Sequence, residues 1–240
     1  MNGFLRSINT MKELSELEPL FESRTIKPTF EYVHVLLSLF IFGENSEGIG
    51  RYRLREELQI GSGTAKSLFK KLKDVSKFIM VPSGEMGSNS EIQRRGHVLT
   101  EKGYKFLTKI KKKIPLLEKA DLKFLKEIII ELENANPYFC LVKNAATNIK
   151  NGIEQRDAAI KINGSGATCL IYNGKEIYFP SKLNNLDERE KVNQDTFNYF
   201  KTQMDEANVK LEPNDVIIIG SGDNPQKSRL ATLNAALTLF

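Results

Sequence analysis

Between Arg51 and Lys113 the chain carries 16 lysines and arginines against six acidic residues. Their spacing, more than their number, is what could do chemistry. Ser62, Thr64, Lys66, Ser67, Lys70, Lys71 and Lys73 fall off an apolar stripe of Ala65, Leu68, Phe69, Leu72 and Val75. A helix divided in that way buries one side and turns hydroxyls and cations to solvent. Such a face suits a DNA major groove, about 12 Å wide, which admits one helix. The first turn meets base edges, so Ser62, Thr64, Lys66 and Ser67 are the expected readers. Lys70, Lys71 and Lys73 lie further along and are expected on phosphates, which position without specifying. Arg51, Arg53 and Arg55 stand just upstream and could touch the backbone. Arg94 and Arg95 suit a minor groove or a phosphate. His97 reads as a strand residue more than a reader. The bland alternative is that these lysines only keep a helix face in water.

A second set of residues lies in the later half. Asn163-Gly164-Ser165-Gly166 precedes an apolar run, and Gly220-Ser221-Gly222-Asp223 follows one and precedes a helix. Backbone N–H groups at such a place can hold an anion. The glycines of a dinucleotide fingerprint and the lysine of a phosphate loop are missing, and tight turns explain glycines as well. Ile149, Ile153 and Ile160 mark one face of a helix, with Arg156 and Asp157 in or beside it. Charge on a packing face is costly unless paired. Either an ion pair or subunit contact is expected there, or Glu154, Arg156 and Asp157 meet a small anionic effector near Gly164, Gly166, Gly220, Ser221, Gly222 and Asp223.

The elements that must position these groups follow from periodicity. Helices are expected over 11–21, with Thr10 and Glu13 at capping-box spacing, and over 30–42, 52–58, 63–75 and 101–113. Gly61 suits the turn before the fourth of these, and Ser62 its cap. Strands over 78–81 and 93–99 flank a polar tip at 82–90. A helix over 119–134, with Leu122, Leu125, Ile128, Ile129 and Leu132 apolar, links to the second half and could pair two copies. Beyond it come a strand (138–142), a helix (149–162), a hairpin (167–172 and 176–179) around Asn173-Gly174, a helix (188–207), a strand (216–219) and a helix (226–239). That order fits a ferredoxin-like βαββαβ domain, so the fold class expected is α+β.

Charge divides along the same line. Residues 1–115 carry 20 basic and 13 acidic residues, and residues 116–240 carry 15 and 17. The polyanion should therefore meet only the first half. Three parts are expected: a DNA-binding domain at 1–115, a linker helix at 116–136, and a sensing or assembly domain at 137–240. No run of apolar residues is long enough to span a membrane, and no signal peptide is read, so a cytoplasmic chain is expected. Cys140 and Cys169 read as reduced core residues unless neighbouring strands carry them. No cluster has metal-ligand spacing, no cofactor is expected, and no nucleophile–base pair marks an enzyme.

The stretches IGRYRLREELQIGSGTAKSLFKKL and RRGHVLTEKG resemble the helix-turn-helix and second wing strand of archaeal winged-helix regulators. GIEQRDAAIKINGSGATCLIY and NDVIIIGSGDN resemble an uncharacterised C-terminal α/β domain attached to such regulators in one archaeal family. The insert SGEMGSNSEIQ lengthens the wing, and DVSKFIM replaces the usual Gly-Leu-Ile that leads into it. The resemblance implies a transcription regulator that binds double-stranded DNA, with a C-terminal domain that senses a ligand or assembles. A helix-turn-helix usually works as a homodimer on paired half-sites. Two alternatives stay open: an enzyme with a winged-helix appendage, as in archaeal CTP-dependent riboflavin kinases, and a protein-interaction adaptor of the transcription machinery.

Overall fold

A computed structural model describes residues 14–23, 27–82, 96–129, 135–180 and 190–240. The chain divides into two compact units, Met1–Lys109 and Ile110–Phe240.

In the first unit the segment expected as a helix over 11–21 is a 3-10 helix, Ser15–Leu20, with Pro19 inside it; residues 10–13 of that expectation lie outside the described residues. Leu14, Leu17 and Leu20 are all buried. Their spacing of three matches a helix with three residues per turn. Helix α1 (Tyr32–Glu44) is buried nearly all round. Helices α2 (Arg51–Glu57) and α3 (Ser62–Asp74) follow. The turn between them differs from expectation. Gln59, not Gly61, takes the left-handed conformation, with φ at 52°. Gly61 is extended and holds the N-cap position of α3. Ser62 is therefore inside the helix, and its hydroxyl accepts from Arg55 Nη1 at 3.0 Å instead of capping.

Strands β1 (Ile79–Met80) and β2 (Val98–Leu99) pair antiparallel. Of the strands expected at 78–81 and 93–99, residues 78, 81, 96 and 97 fall outside β1 and β2, and 93–95, like the tip at 83–90, lie outside the described residues. Ile49 adds a bridge to His97. Gly96 permits it: φ is +84°, and a Cβ there would stand 2.5 Å from the Ile49 carbonyl carbon. Only glycine takes both constraints cheaply. Helix α4 (Glu101–Lys113) ends in three lysines, as the helix dipole favours.

His34 ties the start of α1 down. Its Nδ1 accepts from the Glu31 backbone N–H at 2.9 Å, so that nitrogen carries no proton. Burial, opposed by the nearby Glu31 carboxylate, lowers its pKa. Unfolded chain then takes up the proton more readily, so acid favours unfolding. Stability is expected to fall as pH drops through the unfolded histidine value near 6.5. Thermal melts at about pH 7.5 and about pH 5.5 read this. His34→Gln, which keeps an acceptor, should flatten the difference; an unchanged pH dependence would rule the histidine out as its source.

The second unit is a five-stranded antiparallel sheet in the order β3-β4-β7-β5-β6. Its strands are β3 (Leu116–Lys119), β4 (Tyr138–Val142), β5 (Gly166–Tyr172), β6 (Ile177–Tyr178) and β7 (Val216–Ser221). Helix α5 (Ile153–Lys161) follows β4, α6 (Gln194–Glu206) follows β6, and α7 (Pro225–Leu237) closes the chain. The class is α+β, but the ferredoxin-like order is corrected. That fold joins the first and third strands of the βαββαβ series at its centre. Here β7, the fourth, lies between β4 and β5, the first and second. The reason is visible in β7 itself: Val216-Ile217-Ile218-Ile219 is buried on both faces and takes the middle of the sheet.

Among the described residues of 116–136 the expected linker α-helix does not form, and 130–134 lie outside them. Leu116–Lys119 is an edge strand on β4. Asp121 then caps a 3-10 helix, Leu122–Phe124, by accepting from Lys123 N at 2.9 Å. Leu125 is fully buried, and Phe124, Ile128 and Ile129 pack on the core of this unit. Of the apolar residues read as a helix stripe, Leu125 is thus a core residue, Ile128 and Ile129 pack against that core, Leu122 borders an open hollow, and Leu132 lies outside the described residues. The hairpin forms as expected, with its turn one residue later: the Asn173 side chain accepts from Lys175 N and Glu176 N at 2.9 and 2.8 Å. Helix α6 begins after the expected 188, and residues 181–189 lie outside the described residues.

Phe139, Leu141, Leu170, Ile217 and Ile219 face α6, where Phe200, Met204 and Tyr199 complete the core. The opposite face carries α5 and α7. Cys140 and Cys169 flank Ile218 there, on strands separated by β7. Two strand spacings of about 4.8 Å exceed the reach of a disulfide. Both thiols are buried; burial pushes Cys169 up to about 12 and raises Cys140 as well.

Candidate nucleic-acid interface

The buried stripe of α3 is Ala65, Leu68, Phe69 and Leu72. Phe69 sets its ring edge against Phe42 at 5.9 Å and against His97 at 4.9 Å. That packing fixes the rotation of α3, and Lys66, Lys70 and Lys73 emerge along one exposed line at i, i+4 and i+7. Lys66 and Lys70 have no carboxylate partner among the described residues, while Lys73 lies 3.8 Å from Asp74. Opposite this line stands the N-terminus of α2. Arg51 and Arg55 place their guanidinium carbons 5.5 and 5.9 Å from the ring centre of Tyr52. Tyr52 is 67% exposed. The two guanidiniums are attracted to the ring's π face and hold it at the surface, where a further flat group could stack on it.

Two hollows lie between the cationic walls. One, of about 380 Å³, is bordered by Arg51, Tyr52, Lys66, Lys70, Lys73 and His97. The other, of about 290 Å³, is bordered by Arg51, Tyr52, Arg55, Ser62 and Lys66. His97 sits at the base of the β1–β2 hairpin. Burial and the Lys73 charge lower its pKa, so its ring adds no charge near neutrality. Phosphate oxygens would be matched by five permanent cations on this surface.

Of the residues expected to face the polyanion, the fold brings together Arg51, Ser62, Lys66 and Lys70, with Lys73 and Arg55. Thr64 and Lys71 turn to the other flank. Thr64 Oγ1 lies 2.7 Å from Thr29 Oγ1, and Lys71 Nζ donates to the Glu22 carbonyl at 2.7 Å. Ser67 is half-buried, and Arg53 is exposed but borders neither hollow. Arg94 and Arg95 lie outside the described residues. Tyr52 was missed by reading charge alone. Its signal is an aromatic set among arginines in RYRLR.

The candidate effector residues meet in part. Gly166 pairs with Ser221, and Ser165 N donates to the Ser221 carbonyl at 2.8 Å, so the two glycine loops adjoin. The carbon of Arg156 nearest Gly166 would be 3.7 Å from an added Cβ. For Gly164, Gly220 and Gly222 the reason is close packing, whereas Gly166 is required by its backbone, with φ at +151°. A Cβ on Gly164 would stand 2.5 Å from Ala231 Cβ, and one on Gly220 2.5 Å from Thr232 Oγ1. Gly222 likewise abuts Lys227. Asn224 caps α7 by accepting from Lys227 N at 2.8 Å. Asp223 lies 2.7 Å from Lys227 Nζ, whose hydrogen bond holds that carboxyl below its usual range.

The expectation that Arg156 and Asp157 sit on a packing face is corrected. Helix α5 starts at Ile153 after the left-handed Gly152, not at 149. Its buried residues are Gln155 and Ala159, while Ile153 and Ile160 are 48% and 49% exposed. Small alanines and the Gln155 to Thr238 bond (2.6 Å) let α5 lie close on α7. Glu154, Arg156 and Asp157 are exposed with the isoleucines. An open hollow of about 850 Å³ beside α6, bordered by Asp121, Phe124, Asp195, Tyr199 and Thr202, involves none of the candidate effector residues.

No helix among the described residues is long and apolar enough to cross a membrane. No group of three or more His, Cys, Asp or Glu side chains among them could hold a metal ion. No curated protein matches the chain. Residues 134–239 match the model of a family described as Domain of unknown function (DUF4443). A solved structure, described as a hypothetical protein from Pyrococcus horikoshii OT3, is 23% identical, with 88% of this chain and 93% of that one covered and a TM-score of 0.60. These likenesses assign the later part of the chain to the sequence pattern of that domain and the chain as a whole to the fold of that archaeal protein.

Proposed function

We propose that the first unit is a winged helix-turn-helix that binds duplex DNA, and that the chain is a transcription regulator. In this reading α3 enters the major groove, β1 and β2 form the wing, and Arg51 with Arg55 grips the flanking backbone. The observation that carries it is the alignment of Lys66, Lys70 and Lys73 along the exposed edge of α3, facing Arg51, Tyr52 and Arg55 across two open hollows. A merely solvated helix face does not require a second cationic wall, or an aromatic ring held exposed between guanidiniums.

Fluorescence anisotropy with labelled genomic fragments, recovered by selection on the full chain, tests the reading. Affinity is expected to fall steeply with salt, because each neutralised phosphate adds about −0.9 to the slope of log K against log salt. Tyr52→Ala should weaken binding roughly tenfold through lost stacking and cation–π contact. A chain that retains no fragment at low salt, or a flat salt profile, would overturn the assignment and favour the adaptor reading.

A further inference from the structure

The exposed face of α5 carries a pattern whose apolar positions are the same from either end and whose two central charges exchange sign. Ile153, Arg156, Asp157 and Ile160 stand at i, i+3, i+4 and i+7, on one side of the helix. That side lies opposite the buried Gln155 and Ala159. Two branched apolar side chains, each about half exposed, bracket a cation and an anion. Arg156 Nε and Nη2 reach Asp157 Oδ1 at 3.1 and 3.0 Å, and both side chains are more than half exposed.

A two-fold axis passing between residues 156 and 157 of two facing helices exchanges the isoleucine positions and sets each cation opposite an anion. Two α5 helices laid antiparallel on that axis bring each Ile153 to the partner's Ile160 and each Arg156 to the partner's Asp157. Ile153 and Ile160 are about 10 Å apart along the helix, so both apolar contacts form at once around the charged centre. We propose that this face is where a second copy of the chain associates, α5 against α5. A two-fold contact must be self-complementary, and here both the apolar residues and the charges are. A foreign partner would not require that symmetry. Of the segment 119–134 that the sequence suggested for dimerisation, Leu125, Ile128 and Ile129 are spent on the core of their own unit, which leaves α5 as a surface on which two copies can meet. One nine-residue helix covers less than the roughly 1,200–2,000 Å² of a stable complex. The association is therefore weak and concentration-dependent in solution.

The inference is independent of DNA binding, and charge exchange tests it. Arg156→Asp makes two anions at the centre of the face, and Asp157→Arg makes two cations. Each variant alone opposes like charges across the axis; an equimolar mixture restores opposite charges. Sedimentation equilibrium of the full chain without DNA should show a monomer–dimer equilibrium for the unaltered protein. Each variant should dimerise at least about tenfold more weakly, and the mixture should recover as a heterodimer. Circular dichroism of each variant checks that the exposed substitutions leave the fold intact; Ile160→Ser, which alters no charge, should also weaken association. An unaltered chain that stays monomeric, variants that self-associate normally, or a mixture that fails to recover would each overturn the proposal. DNA retention is scored separately, so loss of the contact leaves that reading standing.

Discussion

Replacing Lys66, Lys70 and Lys73 together with alanine is expected to weaken duplex binding by about 10² to 10³-fold at roughly 0.1 M salt, and to make the salt slope shallower by between about two and three. The three ammonium groups share one exposed line of α3, and Lys66 and Lys70 have no internal carboxylate partner among the described residues to compete with a phosphate. Fold stability should change little, since they are exposed and the stripe that packs α3 is untouched. Lys71→Ala supplies the contrast. Its ammonium is spent on the Glu22 carbonyl on the far flank of the helix, so its loss should cost no more than about threefold in affinity. Anisotropy titrations across a salt series measure both. If Lys71→Ala weakened binding as much as the triple replacement, α3 would be rotated in the groove relative to the orientation proposed. If neither did, α3 would not be the contacting element.

Asp215→Ala is expected to cost the second unit about 3–5 kcal/mol, read as a lower urea midpoint. The carboxylate is 1% exposed. Its Oδ1 accepts from Asn144 N at 2.9 Å, and its Oδ2 accepts from Lys143 Nζ at 2.6 Å and Glu212 N at 2.8 Å. Truncation would leave two backbone donors unpaired and the ammonium of Lys143, only 20% exposed, without its buried partner. The same ammonium also reaches Glu212 at 3.0 Å and holds that exposed carboxyl below its usual range. Around Asp215 three strand ends converge. Tyr172 N donates to the Asp215 carbonyl at 3.0 Å, and Ala145 N to that of Asn214 at 2.8 Å. Asp215→Asn keeps an acceptor and the volume, and should cost less. A loss under about 1 kcal/mol for the alanine variant would mean that the network contributes nothing beyond local capping.

Much of the first unit was legible because its helices carry strong local signals. Helix α3 divides cleanly into apolar and polar sides, and α4 was placed at 101–113 from its apolar period and basic end. The turn between α2 and α3 was misread because glycine is the expected left-handed residue, yet Gln59 takes that conformation and Gly61 stays extended. Composition also could not separate Lys70 from Lys71. One residue of rotation sends the first into the open groove and the second onto the Glu22 carbonyl.

The second unit shows where local pattern fails. Leu122, Leu125, Ile128 and Ile129 have helical spacing, but Leu116–Lys119 pairs with β4, and Leu125, Ile128 and Ile129 turn onto the sheet's core. In the glycine clusters that read as loops able to hold an anion, Gly164, Gly220 and Gly222 are places where α7 and the end of α5 approach the strands too closely for a side chain, and Gly166 takes a positive φ. The isoleucines of α5 read as a buried stripe, yet two of them are in water.

By itself the sequence determined which segments are helices or strands in most of the chain, where positive charge accumulates, and that Val216–Ile219 is a buried strand. Those features depend on neighbours within a few residues, whose periodicity and charge the chain carries openly. Only the tertiary structure decided the order of the strands, which lysines share one edge with Tyr52 and Arg51, and which face of α5 meets solvent. Those depend on pairings between residues tens of positions apart, where an apolar side chain serves equally well in several packings and the best-filled core selects one.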